Sequence, residues 1–393
     1  MLCRNKYNTV QAGLLCGLLA ASLTGGTAFP AFAGSPEFAY SAEKWAALRD
    51  DNLEFDEIAD LIHEYNNTVI QNQISYRDEL DKTSSDLAQD YYDAANDIYS
   101  NIEYPDSDDS NYGSRIAAAL NNEIQAEQLL ERGDKTTDDS ETLKIGYDQT
   151  EASLVKQAQQ LMINYWSQRY SLETLREQKS RAEASLQSQE TRLSAGLSTR
   201  AQVLSAREAV SSAEASILSA ESNLATTKEN LCLMLGWTYG AEVAIGELPE
   251  PDLEAIGSID VAADITTALA NNYALKKTTK QLSNARSSSV KETLTQTEKN
   301  QKETISNSVK SSYEALILAR SNYQQAQEAF ALQQVSLDTA GRKLQAGTIT
   351  QNAYETQQAS YLAAEVSVRT RKLSLLQAML NYDWCINGLA AAS

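Results

Sequence analysis

Three long stretches of the chain contain neither glycine nor proline, and this constrains the fold more than any other feature. They cover residues 37–104, 147–195 and 258–340, the last of which is 83 residues long. Ala, Ser, Gln, Glu, Leu and Lys dominate all three, which favours helix. Helical patterns this long exceed ordinary globular helices and indicate coiled coil. Because the chain has only 5 Pro and 16 Gly, turn-rich sandwiches and barrels are disfavoured.

Large apolar residues recur every seven positions in three rows. A strict sevenfold repeat keeps one narrow seam facing a partner helix, whereas a merely amphipathic helix drifts off this spacing over five turns. Alanines three residues after many members of these rows allow the helices to approach closely. The rows are Val203, Val210, Ile217, Leu224 and Leu231; Val309, Leu316, Tyr323, Phe330, Leu337 and Leu344; and Tyr354, Tyr361, Val368, Leu375 and Tyr382.

The chain also repeats itself. A shift of 151 residues superposes the heptad rows and aligns Ala195-Gly196 with Ala346-Gly347. At a different offset, Asn66-Asn67 matches Asn271-Asn272, and each pair closes a short helical pattern. Each half is therefore predicted to contain a head helix, a long helix, an Ala-Gly turn and a second long helix. The predicted fold class is all-α, with long antiparallel coiled-coil hairpins in two tandem repeats.

The domain boundaries follow from the breaks in this pattern. We predict a first helical repeat over 34–240, a linker over 241–257 and a second repeat over 258–393. The first half is 54 residues longer between its asparagine pair and its turn, and the surplus lies mainly around 101–150. This acidic insertion is interpreted as a solvated segment with a short helix over 114–132. A calcium site is the alternative, but Asp106, Asp108 and Asp109 lack the ligand spacing of an EF-hand loop.

Residues 1–33 have the pattern of a secretory signal peptide. Arg4 and Lys6 precede an apolar run over 10–23, and Ala31-Phe32-Ala33 supplies small residues before the cleavage position. The alternative, a retained anchor, is disfavoured because the run is shorter than the roughly 20 residues that a spanning helix needs. The rest of the chain shows no apolar stretch of that length, so no helical membrane span is predicted for an exported protein of the cell envelope.

Composition disfavours several classes of function. The formal net charge is −20, and nucleic acid or an anionic membrane would require an excess of Lys and Arg instead. With a single histidine, His63, and no metal-spaced cluster or phosphate-binding loop, we predict no catalytic, cofactor or metal site. Cys232 and Cys385 close equivalent helices, and we expect free thiols at the same end of the molecule. Trp237 and Trp384 are interpreted as residues that cover packed helix ends rather than as a ligand-binding site.

The two halves together resemble the TolC-like outer-membrane efflux protein family. The segments that carry this resemblance are residues 192–198 and 343–349, each followed by a heptad helix, with the asparagine heads and the 230–236 ending in support. The resemblance covers nearly the whole chain after residue 33. No individual motif is decisive; their order, found twice, is.

The resemblance implies a homotrimer whose helices build a twelve-helix tube. It also implies that the glycine turns at the tip of the tube receive the hairpin tips of a membrane-fusion adaptor, which serves an inner-membrane transporter. The same turns could instead be ordinary helical reversals without a partner. The candidate docking residues are Ala195, Gly196, Leu197 and Ser198 in the first turn, and Ala346, Gly347, Thr348 and Ile349 in the second.

The chain departs from the family pattern in two respects. It offers no candidate for the alternating strands of about 9–11 residues that the family uses to close a β-barrel, so a helical tube without an evident β-barrel is expected. Gln202 and Ala353 stand where members often place a tip carboxylate, and Ile349 stands where some have arginine, so the family's gating network is not carried over. The leading hypothesis is an efflux or export component. An exported coiled-coil scaffold without a conduit is the alternative.

Overall fold

A computed structural model describes residues 39–392, and these fold into helices with one small strand pair. The predicted signal peptide lies outside the described residues. In the first half the elements are α1 (Ala42–Leu48), β1 (Asn52–Leu53), a 3₁₀ turn (Phe55–Glu57), α2 (Ile58–Tyr65), α3 (Asn67–Glu79), α4 (Ser84–Ser100), α5 (Tyr112–Lys135), α6 (Ser140–Ser194) and α7 (Arg200–Met234). The remaining elements are β2 (Ala244–Ile245), α8 (Leu253–Gly257), α9 (Val261–Asn271), α10 (Tyr273–Asn284), α11 (Ser288–Gln345), α12 (Gln351–Trp384) and a π-helical turn (Cys385–Leu389).

Two long antiparallel hairpins dominate the molecule, as the sequence predicts. The first joins α6 to α7 and the second joins α11 to α12. At about 1.5 Å per residue, the 55-residue α6 and the 58-residue α11 are roughly 80 and 90 Å long. Helix α6 also packs against α12, so the four long helices lie side by side in the order α7, α6, α12, α11. The predicted all-α architecture of two long antiparallel hairpins is confirmed.

The heptad rows form the seams of these hairpins, and in the second hairpin burial along them increases away from the turn. In α11, Val309 and Leu316 are buried while Leu344, next to the turn, is only half-buried. In α12, Leu375 is likewise buried and Tyr354 is half-buried. The apolar core therefore lies at the base of the hairpins, where the head helices α2, α3, α9 and α10 pack.

The head of each half is fixed to the end of its hairpin by asparagine. Asn66 caps α3 by accepting hydrogen bonds from Thr68 and Val69, and its amide donates to the carbonyl of Met234 at 2.8 Å. Asn272 caps α10 by accepting from Leu275 N–H, and its amide donates to the carbonyl of Ala390 at 2.9 Å. The two N-caps are Asn66 and Asn272, one position away from the pairing suggested by the sequence, in which Asn66 aligns with Asn271.

The segment between the halves crosses the base of the hairpins. Strands β1 and β2 pair in parallel, and the Trp166 indole N–H donates to the carbonyl of Gly246 at 2.9 Å. Lys372 on α12 forms an ion pair with Glu250 in the same segment. None of the helices within residues 39–392 is both long enough and apolar enough to cross a membrane.

The insertion in the first half is a third, shorter hairpin built from α4 and α5. Ala88 and Ala95 on α4 and Ala119 and Ala126 on α5 are buried, and their sevenfold spacing gives a close-packed alanine seam. Helix α5 includes the short helix predicted over 114–132. Helix α6 begins at Ser140, so the last residues of the segment that the sequence groups with the insertion lie in the long helix.

Both cysteines of the described chain are buried and free, as predicted. Cys232 lies in the last turn of α7 and Cys385 begins the π-helical turn after α12. Burial raises the pKa of the Cys232 thiol to about 11, so this thiol stays protonated at neutral pH.

Candidate docking site at the hairpin tips

The first glycine turn reverses the chain through a Schellman motif. Helix α6 ends at Ser194 with Ala195 as its C-cap, and Gly196 follows with φ of +74°. The Gly196 N–H donates to the carbonyl of Leu193, and the Leu197 N–H donates to the carbonyl of Arg192 at 2.7 Å. These bonds satisfy two carbonyls that the end of the helix leaves open, and they need a residue that tolerates positive φ.

The second turn has the same geometry. Gly347 has φ of +69°, and its N–H donates to the carbonyl of Leu344 at 2.9 Å. The Thr348 N–H donates to the carbonyl of Lys343, and the Thr348 hydroxyl donates to the same oxygen. The internal repeat therefore extends to individual hydrogen bonds at the turns.

Both glycines face open space. A Cβ atom built on Gly196 or Gly347 would meet no heavy atom within 4 Å. Around them, Leu197 is 69% exposed, and only Ser198 and Ile349 among the eight candidate residues are half-buried. Because neither turn is covered by the chain itself, another backbone can approach the glycines closely.

The residues after each turn start the next helix. Thr199 caps α7 in a reciprocal capping box with Gln202, and the Ser198 hydroxyl lies 2.8 Å from Gln189 Oε1. Thr350 caps α12 by accepting from the Ala353 N–H. Gln202, which stands at the position of the family's tip carboxylate, therefore has a local role in capping.

The two turns lie at the same end of the molecule. Arg369 on α12 contacts Glu173 on α6 at 3.1 Å, and nearer the base the Trp384 indole N–H donates to Gln159 at 2.8 Å. These two contacts show that α6, which runs towards its turn, is antiparallel to α12, which runs away from its own. The eight predicted residues thus belong to neighbouring turns at one end of a pair of hairpins.

Four basic side chains next to the turns were missed by the sequence prediction. Arg192, Arg200, Arg342 and Lys343 are all exposed, and none forms an ion pair within residues 39–392. The signal was present in the sequence, because residues 191–206 and 339–354 contain these four bases and no Asp or Glu. In a chain of net charge −20, such a local reversal of sign is informative.

His63, the single histidine in the sequence, lies at the base of the hairpins. His63 on α2 is paired with Glu151 on α6, with Nδ1 2.9 Å from Oε1, in an open cleft of about 430 Å³. This hydrogen bond raises the pKa of His63 above its usual value. Within the part of the chain that the structure describes, no group of three or more His, Cys, Asp or Glu side chains is placed to hold a metal ion.

Comparison with known proteins agrees with this geometry. The family model described as "Outer membrane efflux protein" matches residues 115–237. No curated protein matches the chain.

Several solved structures share the fold. A membrane protein from Pseudomonas aeruginosa is 13% identical with a TM-score of 0.53, and the match covers 85% of this chain and 94% of that one. The Campylobacter jejuni outer membrane channel CmeC is 11% identical with a TM-score of 0.52 over 96% and 95% of the two chains. The Vibrio cholerae outer membrane protein VceC is 11% identical with a TM-score of 0.50 over 88% and 99%.

These matches show what the chain is similar to. The structural matches establish the fold alone, because every identity is low, and the family model adds an efflux-protein match for residues 115–237. The resemblance to the TolC-like outer-membrane efflux family that the sequence predicts is confirmed. The predicted place of the chain among exported envelope proteins agrees with it.

Proposed function

We propose that this protein is the extracytoplasmic helical tube of an export complex, and that its tip docks a membrane-fusion adaptor that works with an inner-membrane transporter. The observation that carries this proposal is the pair of uncovered Schellman turns at one end of the molecule. Ala195, Gly196, Leu197 and Ser198, with Ala346, Gly347, Thr348 and Ile349, are the proposed docking residues.

The edges of the four-helix layer support assembly of several copies. Helix α7 forms one edge and exposes Leu204 and Leu218, which are 60% and 70% exposed. Helix α11 forms the other edge and exposes Leu318 and Leu332, which are 63% and 69% exposed. On both edges the two leucines are 14 residues apart, the spacing of two heptads. A contact between two different edges is heterologous. Repeated contacts of this kind form a closed ring when the rotation from each copy to the next brings the last copy back to the first.

A ring of three copies places twelve long helices around a central space, which is the tube implied by the resemblance. Exposed leucines at heptad spacing destabilise a solvated monomer and stabilise an assembly that covers them. We therefore propose a homotrimer in which α7 of one copy packs against α11 of the next. The measurement is the mass in solution, and a mass of one or two chains contradicts the tube.

The docking proposal is tested with the double variant Gly196→Leu/Gly347→Leu. A branched side chain at these positions occupies the space that a partner's backbone would need, and positive φ costs the fold about 1–2 kcal/mol at each site. We expect the variant to keep its helicity and mass but to lose capture of the adaptor, identified by mass spectrometry. The hairpins should stay folded despite the loss in folding free energy, because their stability comes from seams that extend over many heptads.

Gly240 supplies a matched control. It also has positive φ, +79°, and an added Cβ there also meets nothing within 4 Å, but it lies beyond the end of α7 that is remote from the turn. Gly240→Leu should therefore reproduce the strain and leave adaptor capture unchanged. Equal capture by the double variant and the wild type would reject tip docking and favour the exported scaffold without a conduit.

A further inference from the structure

We infer that the partner that docks at the tip presents carboxylates there, because the tip is a basic surface on an otherwise acidic protein. This inference rests on the proposed docking function and adds the chemistry of the partner. The basic tip consists of Arg192 and Arg200 around the first turn and Arg342 and Lys343 before the second.

The charge at the tip differs in sign from that of the chain as a whole. Each protomer carries four positive and no negative side chains within residues 191–206 and 339–354, against a net charge of −20 overall. Three copies would bring twelve positive charges to one end of the tube. Like charges that are concentrated in this way repel one another, so the free tip is electrostatically unfavourable and gains from an acidic partner.

Helix capping explains only part of this pattern. Arg192, Arg342 and Lys343 lie in the last turns of α6 and α11, where a positive charge interacts favourably with the helix dipole. Arg200 is the first residue of α7, where a positive charge interacts unfavourably with the same kind of dipole. Arg200 therefore lowers the stability of α7. An ion pair with a carboxylate of the partner explains why a positive charge stands there.

The four bases of the basic tip also lack internal partners. Some exposed bases on the long helices form ion pairs, such as Arg207 with Glu190 and Arg176 with Glu221, whereas others, such as Lys299 and Lys310, do not. None of the four bases of the basic tip forms an ion pair within residues 39–392. Their side chains are therefore available to a second molecule.

The arrangement fits a protein partner better than a membrane surface. The two open glycines and the exposed Leu197 form a small apolar centre that can accept a backbone, and the basic residues form its rim. Interfaces commonly pair an apolar centre with a polar rim, and rim charges mainly raise the association rate and select the partner. An anionic lipid surface makes no use of open glycine turns. The occupant we infer is therefore a helical hairpin tip that bears Asp or Glu.

The test neutralises the basic tip in the variant Arg192→Gln/Arg200→Gln/Arg342→Gln/Lys343→Gln. The probe is the adaptor that the wild-type protein captures, and the readout is its Kd at low and high salt. We expect Kd at low salt to rise at least about tenfold in the variant, and the dependence of Kd on salt to fall, because fewer ionic contacts remain to be screened. The single variant Arg200→Gln should also raise Kd at low salt and lower its dependence on salt, and it should not reduce the stability of the helix.

The matched control neutralises four exposed, unpaired bases far from the turns. These are Lys291, Lys299, Lys310 and Arg371, each changed to Gln, so that the net charge changes equally. We expect this control to bind the adaptor as the wild type does. An equal loss in the control would show a general charge effect and would overturn the inference.

Further outcomes separate this inference from the docking proposal. If the neutral-tip variant binds like the wild type while Gly196→Leu/Gly347→Leu does not, docking stands and the acidic partner is rejected. If neither variant loses the adaptor, both proposals are rejected. Changing the adaptor's tip carboxylates to amides should weaken binding to the wild type and have little further effect on the neutral-tip variant. If phosphatidylglycerol vesicles bind through the basic tip and the adaptor's carboxylates have no effect, the inferred protein partner is rejected in favour of a membrane surface.

Discussion

In both halves of the chain an asparagine joins the head to the end of the hairpin, at positions that the sequence pairing of Asn66 with Asn271 does not align. In the first half, Asn66 caps α3 and also holds the carbonyl of Met234 at the end of the hairpin. In the second half, Asn272 caps α10 and holds the carbonyl of Ala390, while Asn271 donates to the carbonyl of Ile386 at 3.2 Å. What the duplication preserves is the polar connection between head and hairpin, rather than the residue at each aligned position.

The halves differ at the base in how the chain leaves the hairpin. Helix α7 ends at Met234, and Gly236 follows with φ of +93° against the side chain of Tyr65. Helix α12 continues into a π-helical turn, where Gly388 has φ of +112° and lies against Tyr273. These glycines are 152 residues apart whereas the rows repeat at 151, and a π-helical turn is the usual way in which a helix takes up one extra residue.

The largest expected effect compares the glycines at the base with those at the tip. An added Cβ at Gly236 would lie 2.3 Å from Tyr65 Cβ and 3.1 Å from its carbonyl oxygen. Gly236→Ala combines this overlap with positive φ, and we expect it to lower the free energy of unfolding by about 3 kcal/mol or more. Gly196→Ala carries only the backbone strain in open space and should cost about 1 kcal/mol. Urea unfolding of the two variants measures the difference.

Gly388→Ala repeats the test in the second half. Its Cβ would lie 2.8 Å from Tyr273 Cε2 and 3.0 Å from the carbonyl oxygen of Asn271, so the loss should be close to that at Gly236. If the base and tip variants lose equal stability, contact at the base is not what distinguishes the two kinds of glycine.

The second prediction concerns the asparagine caps. Asn66→Ala removes a helix cap and a buried donor to the carbonyl of Met234, and we expect a loss of about 2 kcal/mol in the free energy of unfolding. Asn272→Ala should cost a similar amount because Asn272 makes the equivalent contacts. Asn67 is exposed beside Asn66, so Asn67→Ala is the matched control and should change stability by less than about 0.5 kcal/mol. A loss at Asn67 as large as at Asn66 would contradict the shared role of the two caps.

The third prediction removes the largest difference between the halves. In the second half α10 and α11 are joined by three residues, whereas the first half inserts α4 and α5 at this point. The Ser140 N–H already donates to the carbonyl of Lys82, and deletion of residues 84–137 leaves only three residues between these two hydrogen-bonded positions. The whole connection from α3 to α6 would then have six residues. We expect the shortened protein to keep its mass in solution and to lose less than about 1 kcal/mol in the unfolding of the long hairpins.

The deletion removes the exposed hydrogen bond from Arg286 to Ser85 and the half-buried one from Asn284 to the carbonyl of Thr137. Helices α4 and α5 bury their own alanine seam, so their packing is largely independent of the long hairpins. A monomeric or unfolded deletion variant would show that the third hairpin supports folding or the proposed trimer.

Most of the fold could be predicted because it rests on periodic features. The heptad rows that contain Leu316 and Leu375 have a sequence signal that repeats, and so do the glycine turns at Gly196 and Gly347. Residues 84–100 were predicted to be helical, but their pairing with α5 was not predicted, because the seam is made of alanines, which give a weak apolar signal. The basic tip was missed for a different reason: its bases are far apart in sequence and meet only when two turns share one end.

The smallest expected effect is at His63, where the halves differ in charge. Under the two offsets of the repeat, His63 and Glu151 correspond to Leu269 and Lys302, which line a similar cleft in the second half. The His63–Glu151 ion pair therefore has no counterpart there. Glu151 raises the pKa of His63, with Glu64 and Asp60 on α2 contributing in the same direction. Lys144, Asp148 and Arg77 also line the cleft.

The sign of the pH dependence follows from this shift. A folded-state pKa that is raised above the unfolded value of about 6.5 stabilises the protein fully below that value, and the contribution is lost as pH rises through the folded pKa. Because both side chains are about one-third exposed, at 38% and 30%, the effect should stay below about 1 kcal/mol. We expect the free energy of unfolding of the wild type to exceed that of His63→Leu by this contribution near about pH 5.5. The contribution should be lost near about pH 8.5. Glu151→Gln should remove the same pH-dependent difference, and an unchanged profile in both variants would mean that the pair does not connect α2 to α6 in solution.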